Sequence, residues 1–382
     1  MNVFKVVYRR HTNFAIESIE QTFNGTVDFG RKVSCTVSRN GDLIHKVYLQ
    51  VSLPALSGTN PIWVEEVGHN LIDEVSIEIG GQQIDKHYGD WLNIWNELTQ
   101  TAEKAAGYDS MIGNTSALTT TGGDGAANTT PATTLYVPLQ FWFCRNPGLA
   151  LPLIALQYHE VKFNISFKTL AQVTKNTVSG SPSLNASLYV DYIYLDTDER
   201  RQFAQVQHEY LIEQLQFTGA ESVSATSFKS KLALNHPCKE LIWVCQPDDN
   251  VADKNWSDYS NGSGIDTVVD AKLQLNGQDR FSTRAGSYFN LVQPYQHHTR
   301  IPAVGIYVYS FALNPEQHQP SGTVNMSRID NATLQLTLAS SDASKLKVYA
   351  VNYNVLRIMA GELPSSRQQE YIHKKNMLVE CF

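Results

Sequence analysis

The residues best suited by type to do chemistry fail on spacing. His159-Glu160 and His208-Glu209 open like the His-Glu-x-x-His helix of a zinc hydrolase, which sets two histidines one turn apart around one metal ion. Phe163 and Ile212 stand where the second histidine would be. His236, Cys238 and Cys245 are suitable zinc ligands flanking the run Leu241–Val244. If that run is a strand, positions 238 and 245 differ in parity, so their side chains are expected on opposite faces and cannot share an ion. Asp248, Asp249, Asn250 and Asp253 offer calcium-type oxygens. Counting from Asp248, however, the loop's required glycine is Asp253 and its closing glutamate is Tyr259. His297-His298 is adjacent rather than spaced as His-x-His, and the paired acids Glu65-Glu66 and Asp73-Glu74 point apart if they lie in strands. There is no Gly-Lys dipeptide for a phosphate-cradling loop and no Gly-x-Ser-x-Gly nucleophile turn. The expectation is a chain with no catalytic, cofactor-binding or metal residues, and so no enzyme.

The elements that would position such groups are short strands. Val75-Ser-Ile77-Glu-Ile79, Val161-Lys-Phe163-Asn-Ile165-Ser-Phe167 and Leu334-Gln-Leu336-Thr-Leu338 alternate with period two, so each lays one face in a core. Turn chemistry separates them. Asn40-Gly41 between two β-rich runs predicts a tight hairpin turn, while Asn146-Pro147-Gly148 and Gln319-Pro320-Ser321-Gly322 predict turns in which proline presets φ. Helix is scarce; the best candidate runs from about Asp90 to Ala106, where Trp91, Ile94, Trp95 and Leu98 recur at helical spacing and Gly107 could end it. Gly107–Thr134 and Pro247–Asp270, rich in small and polar residues, are expected as long exposed loops on one outward face that tolerate insertion.

The chain also repeats itself. Ser76–Gln82 resembles Lys272–Gln278, with Gly81 falling on Gly277 and Gly80 on Asn276, which makes these equivalent turns. Gly89-Asp-Trp-Leu-Asn93 then falls on Gly286-Ser-Tyr-Phe-Asn290, and Val190–Leu195 on Val351–Leu356, in the same order. Duplication implies two β domains, 1–205 and 206–382, joined near the charged stretch Asp198-Glu-Arg-Arg201.

Composition narrows the class of function. Only 18% of the 382 residues are charged, against about 25% in typical domains, while 10% are aromatic, which suits a surface covered by copies of itself. The net charge of −7, with no long basic run, argues against packaging a genome through phosphate contacts or reading nucleic acid by sequence. Five cysteines without paired spacing suit a reducing compartment. The longest apolar run, Leu149–Leu156, is broken by Pro152 and is too short to cross a bilayer; Met1–Arg10 does not read as a signal peptide. Asn-x-Ser/Thr triplets recur from Asn24 to Asn331, as composition alone would produce, and receive no role. A carbohydrate-binding double β-sandwich is the alternative reading, but Trp142 and Trp243 lie in apolar runs where a core claims them.

Several long segments, in order, resemble the major capsid proteins of nucleocytoplasmic large DNA viruses. In the first half these are Phe4–Phe14, Trp63–Val75, and Phe141–Leu153 with Tyr158–Val161; in the second, Leu273–Phe281 and Gly305–Phe311 through Gln319–Arg328. The resemblance implies an all-β chain of two tandem eight-stranded antiparallel jelly rolls with short helices in loops. It implies a homotrimer whose six rolls form a capsomer of hexagonal outline, contacts with neighbouring capsomers in an icosahedral virion shell, and assembly in the host cytoplasm. It also implies minor capsid proteins and an internal viral membrane at the inner face. Members usually carry a segment ahead of the Phe-Lys-Val-Val-Tyr motif on that inner side, and this chain starts almost at the motif, so a shortened or divergent form is expected there.

Overall fold

The computed structural model describes residues 11–123, 125 and 128–358, and the backbone of 379–381; Met1–Arg10, and with it most of the Phe-Lys-Val-Val-Tyr segment, lies outside the described residues. Eight principal strands build the first half: β1 (Phe14–Gln21), β2 (Lys32–Thr36), β3 (Leu43–Leu53), β4 (Ile72–Ile79), β5 (Gln82–Tyr88), β6 (Thr133–Pro138), β7 (Val161–Phe167) and β8 (Asn185–Leu195). Eight build the second: β9 (His208–Val223), β10 (Ser227–Leu232), β11 (Pro237–Pro247), β12 (Val268–Leu275), β13 (Gln278–Asp279), β14 (Ile306–Ser310), β15 (Ala332–Leu338) and β16 (Ser344–Ile358).

The two halves have one topology. The first pairs its strands as β1-β8-β3-β6 and β2-β7-β4-β5, the second as β9-β16-β11-β14 and β10-β15-β12-β13, so each strand n corresponds to strand n+8. The pairings are antiparallel, and consecutive strands cross between the two facing sheets except at the hairpins β4–β5 and β12–β13, as in a jelly roll. Alternation makes each core. Val161, Phe163, Ile165 and Phe167 of β7 point into the first and are buried while Lys162, Asn164 and Ser166 between them are half-buried; Leu334 and Leu336 of β15 do the same for the second. Leu56–Trp63 forms a small third sheet with Thr129–Thr130 and Thr174–Val178.

Gly81 and Gly277 sit in matching hairpins. Ile79 pairs with Gln82 across Gly80-Gly81, both at positive φ, and Leu275 pairs with Gln278 across Asn276 (φ 51°) and Gly277 (φ 79°). Two consecutive left-handed residues match the turn twist to the strand twist, which accounts for Asn and Gly there. The Gly89 and Gly286 match is equally physical. A Cβ on Gly89 would lie 2.4 Å from the carbonyl of Ile72, and one on Gly286 would lie 2.1 Å from that of Val268; these carbonyls belong to the first residues of the equivalent strands β4 and β12. The third match keeps the strands but not the facing: Val190 lies in the first core, whereas Val351 points out of the second roll.

Two expectations of local structure are corrected. Asn40-Gly41 is no hairpin, because β2 and β3 belong to different sheets and the segment crosses between them. Neither residue has positive φ; Gly41 is needed because a Cβ would lie 2.8 Å from that of Tyr192. The candidate helix is two: α1 (Gly89–Thr99) and α2 (Ala102–Ile112), with Gly107 inside the second and Gly113, at φ 80°, ending it. Asn146 does form a turn, its side chain accepting from Gly148 N at 2.9 Å around Pro147. Pro320 and Gly322 lie in an extended return. Leu313 N donates to Ser321 O, and Gly322 takes φ 138° against Phe311 O.

Candidate assembly surfaces

The two rolls are joined by a helix laid on a sheet. In α1, the positions 91, 94, 95 and 98 make one stripe, while Leu92 faces the first roll's own core. Trp91, Ile94, Trp95 and Leu98 pack on the outer face of sheet β9-β16-β11-β14, against Ile242, Val244, Ile306, Val308, Tyr349 and Val351. Burying four such side chains contributes roughly 6–12 kcal/mol before entropic costs. The long strands β9 and β16 also reach across, so that Ile212, Leu356 and Ile358 complete the first roll's core.

A buried charge cluster reinforces the joint. Arg145, which ends the short helix Trp142–Arg145 of the first roll, places Nη1 3.2 Å from Glu213 of β9, and Lys239 of β11 reaches the same carboxylate at 2.8 Å. The Arg145 guanidinium lies 4.8 Å from the Trp95 ring centre. Burial alone would raise the Glu213 pKa, but Arg145, then His318 and Lys239, hold it down at about 2. On the opposite side of the joint, Asp90 of α1 pairs with Lys347 of β16.

Pro247–Asp270 is part of this joint rather than a free loop. Lys254 Nζ donates to Thr174 O at 2.8 Å, Trp256 Nε1 to Gln172 O at 2.9 Å, and Ser257 Oγ to Glu66 at 2.9 Å, all across to the first roll. The positions with calcium-type oxygens serve this fold instead. Residues Asp248–Ala252 form a helical turn, and the buried Asn250 side chain donates to the carbonyls of Asp258 and Ser260. Gly107–Thr134 is not wholly exposed either: Ile112 and Leu118 are fully buried, and Leu118 joins the first roll's core.

The remaining chemical candidates do not converge. Among the described residues no group of three His, Cys, Asp or Glu is placed to hold a metal ion. Cys238 and Cys245 face the same core, contrary to their parity, because a bulge at Cys238–Glu240 inserts a residue; they remain seven residues apart along one strand. Both thiols are buried and unpaired, and burial pushes Cys245 up to about 11, far from a reactive thiolate. His208 Nε2 donates to Phe203 O at 2.8 Å and stacks on that ring. His298, which the adjacency argument discounted, is held by two carboxylates. Its side chain is buried between Glu240 (2.9 Å) and Glu316 (3.0 Å), and although burial alone would lower its pKa, the two carboxylates raise it to about 9. That triad ties the segment 298–316 to β11. Trp142 and Trp243 are buried, leaving no sugar platform on them.

Large apolar side chains also remain exposed. Phe14 and Ile16 on edge strand β1, Tyr136 on edge strand β6, and Leu291, Tyr295 and Leu313 on the second roll stand 45–78% exposed. Two tandem eight-stranded jelly rolls locked into one body, with apolar side chains exposed on both rolls and no assembled catalytic group among the described residues, define a double jelly-roll building block. Residues 2–196 match the family described as major capsid protein N-terminus, and residues 199–363 that described as large eukaryotic DNA virus major capsid protein. The chain belongs to this family of large eukaryotic DNA virus major capsid proteins, and its place is the virion capsid. It is 57% identical to a major capsid protein of Pyramimonas orientalis virus, over 94% of this chain and 91% of the relative. It is 48% identical to that of Phaeocystis pouchetii virus, over 94% of each. Among solved structures it is similar to PBCV-1 VP54, whose crystal structure was fitted into a reconstruction of the virophage Sputnik, with TM-score 0.83 at 40% identity, covering 95% of this chain and 100% of that one.

Proposed function

We propose that three copies of the chain close head to tail into a ring of six jelly rolls, a capsomer of hexagonal outline that tiles an icosahedral shell. The observation that carries the reading is the duplicated topology: each chain brings two wedges of the same strand order, already fixed side by side. Closed cyclic symmetry would cover each copy's exposed apolar side chains without open-ended growth. Permanent interfaces of this kind commonly exceed ~2,000 Å², so stability should rise with protein concentration. The reading takes 1–205 and 206–382 as the two domains, with helix α3 (Thr197–Gln205) as linker, and gives the protein no catalytic role. The unpaired thiols suit assembly in the reducing host cytoplasm. The family resemblance supports neighbouring capsomers as lateral partners, and minor capsid proteins and an internal membrane at the inner face. Native mass spectrometry at neutral pH is expected to show three chains together and almost no monomer; a folded monomer at micromolar concentration refutes the capsomer.

A further inference from the structure

The duplication extends to the helix that makes the joint, and there the two rolls differ. In the second roll a continuous helical run, Gly286–His297, occupies the place that α1 holds in the first. Both begin at a glycine pressed against the first carbonyl of the equivalent strand, Ile72 of β4 or Val268 of β12. Counting from these glycines, Leu92 and Phe289 coincide, and each is buried in its own roll's core. Asn93 and Asn290 coincide and are both buried, as are Asn96 and Gln293. The inward side of the helix is therefore the same in both rolls.

The outward side is not. Ile94, Trp95 and Leu98, at most 5% exposed, are covered by the neighbouring roll's sheet. Their counterparts Leu291, Val292 and Tyr295 are 48%, 39% and 78% exposed. The helix is also held stiffly in this bare state: Asn290 Nδ2 donates to Ala303 O and Ile306 O, Gln293 Oε1 accepts from Ser310 N, and His298 is clamped between Glu240 and Glu316 just beyond its end. Among the described residues one sheet face is left open in the complementary sense, apart from its end at Leu43 and Ile193, which Ala150 and Phe203 cover. Sheet β1-β8-β3-β6 corresponds strand for strand to the sheet that receives α1. Its outer face shows Phe14, Ile16, Tyr48, Tyr136 and Tyr189, none of them buried.

We infer that the helix Gly286–His297 docks, through Leu291, Val292 and Tyr295, on the outer face of sheet β1-β8-β3-β6 of a second copy of this chain, repeating between chains the contact that α1 makes within one. The occupant follows from the duplication: a helix of the same position already binds a sheet of the same position, and among the described residues one member of each kind is left unfilled. The contact is heterologous, two different surfaces meeting, so it propagates around a ring rather than ending at a face-to-face dimer. It rests on the capsomer reading and supplies its interface.

The test uses the full chain. In Leu291→Asp/Tyr295→Asp, both sites are solvent-exposed in the single chain, so circular dichroism should be unchanged while the apparent association constant falls by roughly 100-fold. Ile265→Asp, exposed but outside both surfaces, should leave association intact. Cross-linking then reads the partner. In a Cys381→Ser background, a short bis-maleimide should join Val292→Cys protein to Tyr136→Cys protein after mixed reassembly, and neither variant to itself. If the wild type is monomeric, the capsomer reading falls. If the wild type is trimeric but the Asp pair still trimerises, or Val292→Cys links to itself, this docking is wrong and the capsomer stands.

Discussion

Replacing Glu213 by Gln probes the charge cluster that couples the rolls. In the folded chain Glu213 titrates at about 2 against an ordinary 4.5, because Arg145 from the first roll and Lys239 and His318 from the second outweigh its burial. A depressed carboxylate pKa contributes stability that is fully present above 4.5 and is lost as pH falls toward 2. The shift corresponds to about 3 kcal/mol. The variant loses this at neutral pH and also leaves Lys239, 1% exposed, without its anion, a situation that typically costs about 3–5 kcal/mol. Urea denaturation at fixed protein concentration, followed by tryptophan fluorescence, should place Glu213→Gln about 3–5 kcal/mol below wild type at pH 7. The gap should narrow between pH 4.5 and 2. A gap under about 0.5 kcal/mol at pH 7, or one that does not shrink in acid, would refute the argument that this carboxylate is held ionised to bind the rolls together.

Three further outcomes are expected. The His298 pKa is raised to about 9, so its contribution is present below 6.5 and disappears as pH rises through 9; protease cleavage within 298–316 should accelerate above that pH in wild type and already at pH 7 in His298→Gln. Gly286→Ala, whose Cβ would strike the Val268 carbonyl, should cost about 3 kcal/mol or more, whereas Gly277→Ala, strained at positive φ but in open space, should cost about 1 kcal/mol; the reverse order in thermal denaturation would contradict the assigned roles. A short peptide inserted after Ser263, beside the unobstructed Gly264, should leave the fold intact, while the same insertion after Trp256 should unfold the joint, read by loss of the denaturation baseline shared with wild type.

Period-two alternation made the strands legible, and the ordered matches made the duplication legible, because a core reads only one face of each strand and a hairpin at positive φ admits few residues. What failed did so where a local pattern has more than one three-dimensional outcome. Asn40-Gly41 has hairpin chemistry, yet nothing local says whether the next strand joins the same sheet. The parity argument for Cys238 and Cys245 holds only for a regular strand, and one inserted residue reversed it. In Pro247–Asp270 the polar residues outvoted Trp256 and Tyr259, whose contacts lie in the other roll and have no periodicity to betray them. The joint did leave a trace. Leu92 completes apolar character around α1 beyond a single stripe, and a helix apolar on two sides must be covered on both.

On the proposed docking, the two equivalent sheets divide one kind of contact between folding and assembly. The face that receives α1 is built from Ile, Val and Tyr and is covered as soon as the chain folds, so it never has to face water. The bare face of sheet β1-β8-β3-β6 carries Tyr48, Tyr136 and Tyr189 with Gln50 and Ser52 between them. Tyrosine offers apolar area with a hydroxyl that water can satisfy, which keeps a free chain soluble while leaving surface to bury later. The Arg145–Glu213–Lys239 cluster belongs to the covered joint alone; it is tolerable there because folding brings its members together once, whereas desolvating such charges afresh at each association would oppose closure of the ring. A shell unit needs that asymmetry, with a contact inside the chain that does not open and a related contact between chains that forms only when copies meet.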